Sequence, residues 1–164
     1  MEQFMKAALK EAQKAAKKGE VPVGAVVVRE GKILARAHNL RQSTHNPVAH
    51  AEVLALQKAS KKTGTWHLED CTLYVTLEPC PMCAGACVNA RLGKLVYGAA
   101  DLRFGGCETL YRIPQDERLN HRCETVGGVL AEECAGLLSQ FFQGRRREKK
   151  EKAANPTVPN EESR

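Results

Sequence analysis

The sequence predicts an α/β domain, a three-layer α/β/α arrangement around a mixed five-stranded sheet. Apolar runs of strand length recur near residues 23–29, 33–37, 72–76 and 95–99. Stretches of helical period stand between most of them. The runs at 23–29 and 72–76 are continuously apolar rather than alternating, the pattern of strands covered on both faces.

Residues 2–18 read as an amphipathic helix. Met5, Ala8, Leu9, Ala12, Ala15 and Ala16 recur at helical spacing among lysines and glutamates, and Gly19 stands where a helix stop is expected. Val23 to Arg29 reads as a buried strand, Glu30-Gly31 as a turn, and Ile33 to Ala37 as the returning strand of an antiparallel hairpin. His38 to Ala49 is a polar loop with Asn39, Asn46 and Pro47. A helix follows from about Ala51 to Lys62 and stops at Gly64. Thr72 to Thr76 is the third strand. Glu78-Pro79 forces an extended step, and Pro79 suits the start of a helix running to about Ala90. Leu95 to Ala99 is the fourth strand, and a strand–helix–strand unit of this length implies a parallel, right-handed crossover. Asp101 to Arg122 reads as loop-rich, Cys123 to Val126 as a short strand, and Val129 to about Arg147 as a last helix with Gly144 a candidate break. Residues 1–152 therefore form one domain without internal repeats, and 153–164 read as a disordered tail.

Composition narrows the setting. Seven cysteines, an odd number, fit no regular disulfide framework and point to a reducing compartment. The N-terminus lacks the apolar core of a signal peptide, and the run Val21 to Val28 is too short to span a bilayer. A cytoplasmic protein without membrane contact is expected. The net charge is +6, and residues 145–152 hold six basic and two acidic side chains, a local +4. Such an end suits a polyanion, RNA above all, although charge alone favours a solvated tail that aids solubility.

The chemistry is concentrated in His50-Ala51-Glu52 and Pro79-Cys80-Pro81-Met82-Cys83. A catalytic zinc takes three protein ligands and leaves a fourth position to water. His50, Cys80 and Cys83 are three suitable ligands, and Glu52 is left over to handle protons. His50 and Glu52 are two apart, so they share a pocket only at the end of a helix, where the chain enters. Cys80 and Cys83 are three apart, on one face of a first helical turn, where the helix dipole favours thiolates. His-x-Glu followed by Pro-Cys-x-x-Cys is the signature of zinc-dependent nucleobase deaminases. Cys87, one turn beyond Cys83, is read as a core cysteine.

The chain resembles the bacterial tRNA-specific adenosine deaminases over residues 20–152, in Glu20 to Ala25, Asn39, Ala49 to Glu52, Thr76 to Ala86, Asn120-His121-Arg122, Phe141-Phe142 and Arg145-Arg146. The resemblance implies a cytidine deaminase-like fold and conversion of a wobble adenosine to inosine. It implies one zinc ion per subunit on His50, Cys80 and Cys83, with Glu52 as proton shuttle and Asn39 and the backbone of Ala51 holding the base. It also implies that Asp101, Arg103, Phe142, Arg145 and Arg146 lie along a tRNA anticodon stem-loop, and that the enzyme is a homodimer. The chain departs from the family between Leu102 and Pro114, where the family's Lys and Gly-Ala-x-Gly-Ser-like run is replaced by Leu102-Arg103-Phe104-Gly105-Gly106-Cys107-Glu108-Thr109. The zinc motif is shared with deaminases of free guanine or cytosine-type bases, which stand as the nearest alternative. A non-catalytic zinc-bearing RNA-binding subunit would have no use for Glu52, and a redox pair at Cys80 and Cys83 would hold no zinc.

Overall fold

A computed structural model of the chain describes residues 1–156. The elements are α1 (Glu2–Lys17), β1 (Gly24–Arg29), β2 (Lys32–His38), α2 (Ala51–Thr63), β3 (Cys71–Leu77), α3 (Pro81–Asn89), β4 (Lys94–Ala99), a 3-10 turn at Ile113–Gln115, β5 (Glu124–Val126) and α4 (Ala131–Ala154). The five strands form one sheet in the order β2-β1-β3-β4-β5. β1 runs antiparallel to β2 and β3, whereas β3, β4 and β5 run parallel. The sheet is mixed and five-stranded, as expected from the four apolar runs together with the short strand read near 123–126.

Successive strand residues point to opposite faces, so each buried strand feeds two cores. Ala25, Val27, Leu73, Val75 and Leu95 pack with Ala51, Ala55 and Ala59 of α2 and with Ala84 and Cys87 of α3. Val26, Val28, Tyr74 and Val96 pack with Met5 and Ala8 of α1 and Cys134 of α4. The small residues on α2 and α3 let both helices lie close to the sheet, with their N-termini at the same end. On the other face, α1 crosses β1 at Gly24, where a Cβ would stand 2.0 Å from the Ala8 carbonyl oxygen.

Most boundaries shift by a residue or two, α4 among them, which starts at Ala131 and not Val129, and two differences bear on the site and the basic end. α3 begins at Pro81, not Pro79, with Cys80 as its N-cap in extended geometry (φ −68°, ψ 170°). Cys80 itself precedes a proline and is held out of the helical region, so the second proline sets the start. α4 continues through Gly144 to Ala154. Ala153 and Ala154, assigned to the tail from sequence, are thus helical; residues 157–164 lie outside the described residues. No helix among the described residues is long and apolar enough to cross a membrane.

Candidate metal centre

Two helix starts converge. His50 is the N-cap of α2, extended at φ −75°, ψ 149°, because Pro47 and the polar loop before it deliver the chain in a non-helical conformation. Cys80 caps α3, and Cys83 sits in its first turn. His50 Nδ1 lies 3.7 Å from Cys80 Sγ and 3.4 Å from Cys83 Sγ. The three ligand atoms lie within 4.8 Å of one another, a group able to hold a metal ion. Glu52, one residue into α2, is buried, with Oε2 4.0 Å from His50 Nδ1.

The electrostatics of the cluster are uneven. Hydrogen bonding from Cys83 outweighs burial and, with His50, brings the Cys80 thiol down to about 4. Cys83 is pushed the other way by the Cys80 thiolate and by burial. His50 is raised, chiefly by its bond to Cys80. Burial pushes Glu52 up to about 7 against the opposing pull of Cys83 and His50. A carboxyl group balanced near neutrality can both take and return a proton. Cys87 is fully buried, its thiol pushed well up by burial, and it stays outside the ligand group.

The loops on either side are fastened by two buried carboxylates whose roles the sequence did not reveal. Glu20 accepts hydrogen bonds from the N–H of Gln42 (3.2 Å), the N–H of Ser43 (2.5 Å) and the Ser43 hydroxyl (2.7 Å). It thereby shapes the loop that carries Asn39. Glu78 accepts five: from the N–H groups of Asp101 (3.0 Å), Cys107 (3.2 Å), Glu108 (2.8 Å) and Thr109 (2.9 Å), and from the Thr109 hydroxyl (2.5 Å). Gly106 closes the same loop onto the ligand segment by donating to the Pro79 carbonyl at 2.8 Å. A Cβ at Gly106 would come within 2.9 Å of the Cys80 backbone carbon.

Of the residues expected to meet substrate, Asn39 is buried, its amide donating to the Val21 carbonyl and its Oδ1 accepting from the Arg41 N–H, each at 3.2 Å. Ala51 opens α2 beside the cluster, in the turn whose N–H groups have no intrahelical acceptor. Asp101 uses Oδ1 to cap the turn at Arg103 and Phe104 (3.0 and 3.1 Å), and Arg103 is exposed. Phe141 is half-buried and meets the exposed Phe142 edge to face at 5.5 Å. Arg145 donates to the Gly19 carbonyl and lies over the Phe141 ring at 4.9 Å, tying α4 to the end of α1. Arg146 is exposed.

The description "MafB19-like deaminase" belongs to a family model that matches residues 1–146. A tRNA-specific adenosine deaminase of Bacillus subtilis is 57% identical over 149 residues, 91% of this chain and 92% of that one. The chain belongs to the tRNA-specific adenosine deaminase family. A solved structure from work on A-to-I editing by tRNA:A34 deaminases at the wobble position of transfer RNA matches this family member with a TM-score of 0.79 at 38% identity, over 82% of this chain and 98% of that one. A guanine deaminase structure from Bacillus subtilis matches 60% of the family member and 64% of its own chain, at 42% identity and a TM-score of 0.58.

Proposed function

We propose that this chain is a zinc-dependent hydrolase that converts adenosine to inosine at the wobble position of a tRNA anticodon. The observation that carries the reading is a buried carboxylate, Glu52, beside a His-Cys-Cys group in a chain that matches a tRNA-specific adenosine deaminase over 91% of its length. Metal–sulfur bonds of about 2.3 Å and metal–nitrogen bonds of about 2.0 Å in a tetrahedron require sulfur and nitrogen about 3.5 Å apart. The separations of 3.4 and 3.7 Å fit that requirement. His50, Cys80 and Cys83 would hold one zinc ion per subunit, leaving a fourth position open. When bound, zinc lowers the pKa of water and supplies a nucleophile at neutral pH.

Glu52 moves the protons. It accepts one from the attacking water and delivers it to the purine ring nitrogen as the amino-bearing carbon becomes tetrahedral. It then takes the proton of the newly added hydroxyl and passes it to the amine as the C–N bond breaks and the C=O bond forms, so that water and adenosine become inosine and ammonia. Asn39 and the Ala51 N–H orient the base, and its buried position keeps Glu52 out of bulk water. Asp101, Arg103, Phe142 and Arg146 line the RNA path, with Arg145 bracing α4 behind them. A flipped-out base from a single-stranded loop suits such a pocket.

The chain works in the cytoplasm, as tRNA modification requires, and as a homodimer, for which an open groove of about 560 Å³ between α2 and α3, lined in part by Val53, Leu56, Trp66, Ala86 and Ala90, offers a partly apolar face. Sedimentation of purified protein at twice the subunit mass is the expected result. The function itself is tested by sequencing a candidate tRNA after incubation with the purified enzyme. An A-to-G read at the wobble base is expected; ammonia release from free guanine, with the tRNA unchanged, would replace this reading with the guanine deaminase one that the partial likeness to that enzyme favours.

A further inference from the structure

Ten large hydrophobic side chains are exposed among the described residues, and four of them, Leu102, Phe104, Leu110 and Tyr111, fall on the one loop between β4 and the 3-10 turn. That concentration asks for an occupant. The loop is firmly held. Glu78 gathers four of its N–H groups and a hydroxyl, and the N–H groups of Leu110 and Tyr111 both donate to the Gly105 carbonyl, at 2.9 and 3.3 Å. The second of these contacts brings the backbone of Tyr111 beside the residue that follows Phe104, so two aromatic side chains leave a fixed backbone from neighbouring points. Phe104 is 64% exposed and Tyr111 57%. Exposed arginines, Arg103 and Arg112, stand next to each of them in the chain. The loop is also joined to the metal-ligand segment through the bond from Gly106 to Pro79, one residue from Cys80.

A flat apolar ring with a cation beside it matches one chemistry well, an unpaired nucleobase with its phosphate. A protein surface could use the same side chains, but the loop is bonded to the metal-ligand segment through Gly106 and Pro79, where the proposed substrate is RNA, and the two arginines suit its phosphates. We infer that Phe104 and Tyr111 form a stacking platform for the unpaired nucleotides that flank the target base, with Arg103 and Arg112 against their phosphates. The inference rests on the tRNA reading above and extends it to this chain's own loop between β4 and the 3-10 turn.

The test is a dissociation constant for an anticodon stem-loop RNA with the full, zinc-loaded chain at fixed salt. Phe104→Ala and Tyr111→Ala should each weaken binding about 5- to 150-fold, the worth of one stacked base, and Phe104→Trp should bind as the parent does. An abasic nucleotide beside the target should cost the parent a similar factor and cost one of the alanine variants nothing more, so that the two losses do not multiply. Losses that multiply, or alanine variants that bind like the parent while the parent still makes inosine, overturn the platform and leave the tRNA reading standing. A parent that makes no inosine in the stem-loop removes both. A change in sedimenting mass in Phe104→Ala with no change in RNA affinity would reassign the surface to contact between copies of the chain, and the inference would fail.

Discussion

At the scale of single residues, the cluster was readable because its members are local pairs. His50 with Glu52, and Cys80 with Cys83, each sit at a helix start, so spacing alone places them relative to one another. Only the meeting of the two pairs needs the fold. Glu78 was unreadable for the opposite reason. Its acceptor bonds reach residues 23 to 31 positions away, and before folding a glutamate ahead of a proline looks like any other. His38 likewise has no carboxylate close to it in sequence, and folding brings Glu11 Oε2 to 2.9 Å from its Nδ1. On the proposed mechanism, Glu52→Ala removes the proton carrier and none of the zinc ligands. It should retain one zinc per chain by elemental analysis while kcat falls at least about 10²-fold; unchanged turnover would rule Glu52 out. Gly106→Ala acts on the ligands instead. Its new methyl meets the Cys80 and Pro81 backbone at 2.9 Å, atoms that cannot swing aside. A loss of about 1–3 kcal/mol in urea unfolding is expected, together with weaker zinc retention in a chelator competition.

At the scale of elements, helices and strands were legible from period and punctuation, and the errors came where two local signals competed. Pro79 and Pro81 both suit a helix start, and the rule that the residue before a proline stays extended decides for Pro81. Gly144 looked like a stop, yet its helix persists because good helix formers follow and Glu148 and Lys152 stand at the favourable i, i+4 spacing. A Cβ at Gly144 meets nothing within 4 Å, and its φ is not positive. Gly144→Ala should therefore stabilise the protein by about 0.5–1 kcal/mol, read as a raised Tm. The loop from Asp101 to Thr109 behaves as an element because of Glu78. Burial alone would raise the Glu78 pKa, but the bonds from Thr109, Asp101 and Glu108 outweigh it and hold the carboxyl below its ordinary 4.5. The folded protein therefore binds this proton less readily than the unfolded chain. The stabilisation is fully present above pH 4.5 and fades as pH falls through the depressed value. Glu78→Gln should cost about 2 kcal/mol in urea unfolding at pH 7, and the gap from the parent should narrow below pH 4.5. A gap independent of pH would show that the charge on Glu78 does not hold the loop.

At the scale of the molecule, the net +6 is unevenly spread, and its densest part is the last three turns of α4. Arg145 is committed to the Gly19 carbonyl and the Phe141 ring, which fixes the angle at which the helix leaves the body. Beyond it, Arg146, Arg147 and Lys150 line one open hollow with Gln143, all exposed. An isolated helix of this composition would gain little from packing. Holding its cations on a rigid rod gives them a fixed distance from the metal centre, which a disordered tail of the same charge could not do. If these cations neutralise phosphates, affinity for the stem-loop must fall with salt as counterions return to the RNA. About four phosphate contacts give a slope of log K against log salt near −2.8, at about −0.7 per phosphate on a single strand. Replacing Arg146, Arg147 and Lys150 together by glutamine should flatten that slope by about 2.1 if each holds one phosphate. Zinc content should not change, since none of the three touches the ligand group. A slope that is the same in parent and variant would mean that the basic helix only keeps the protein in solution and that the phosphates are held elsewhere.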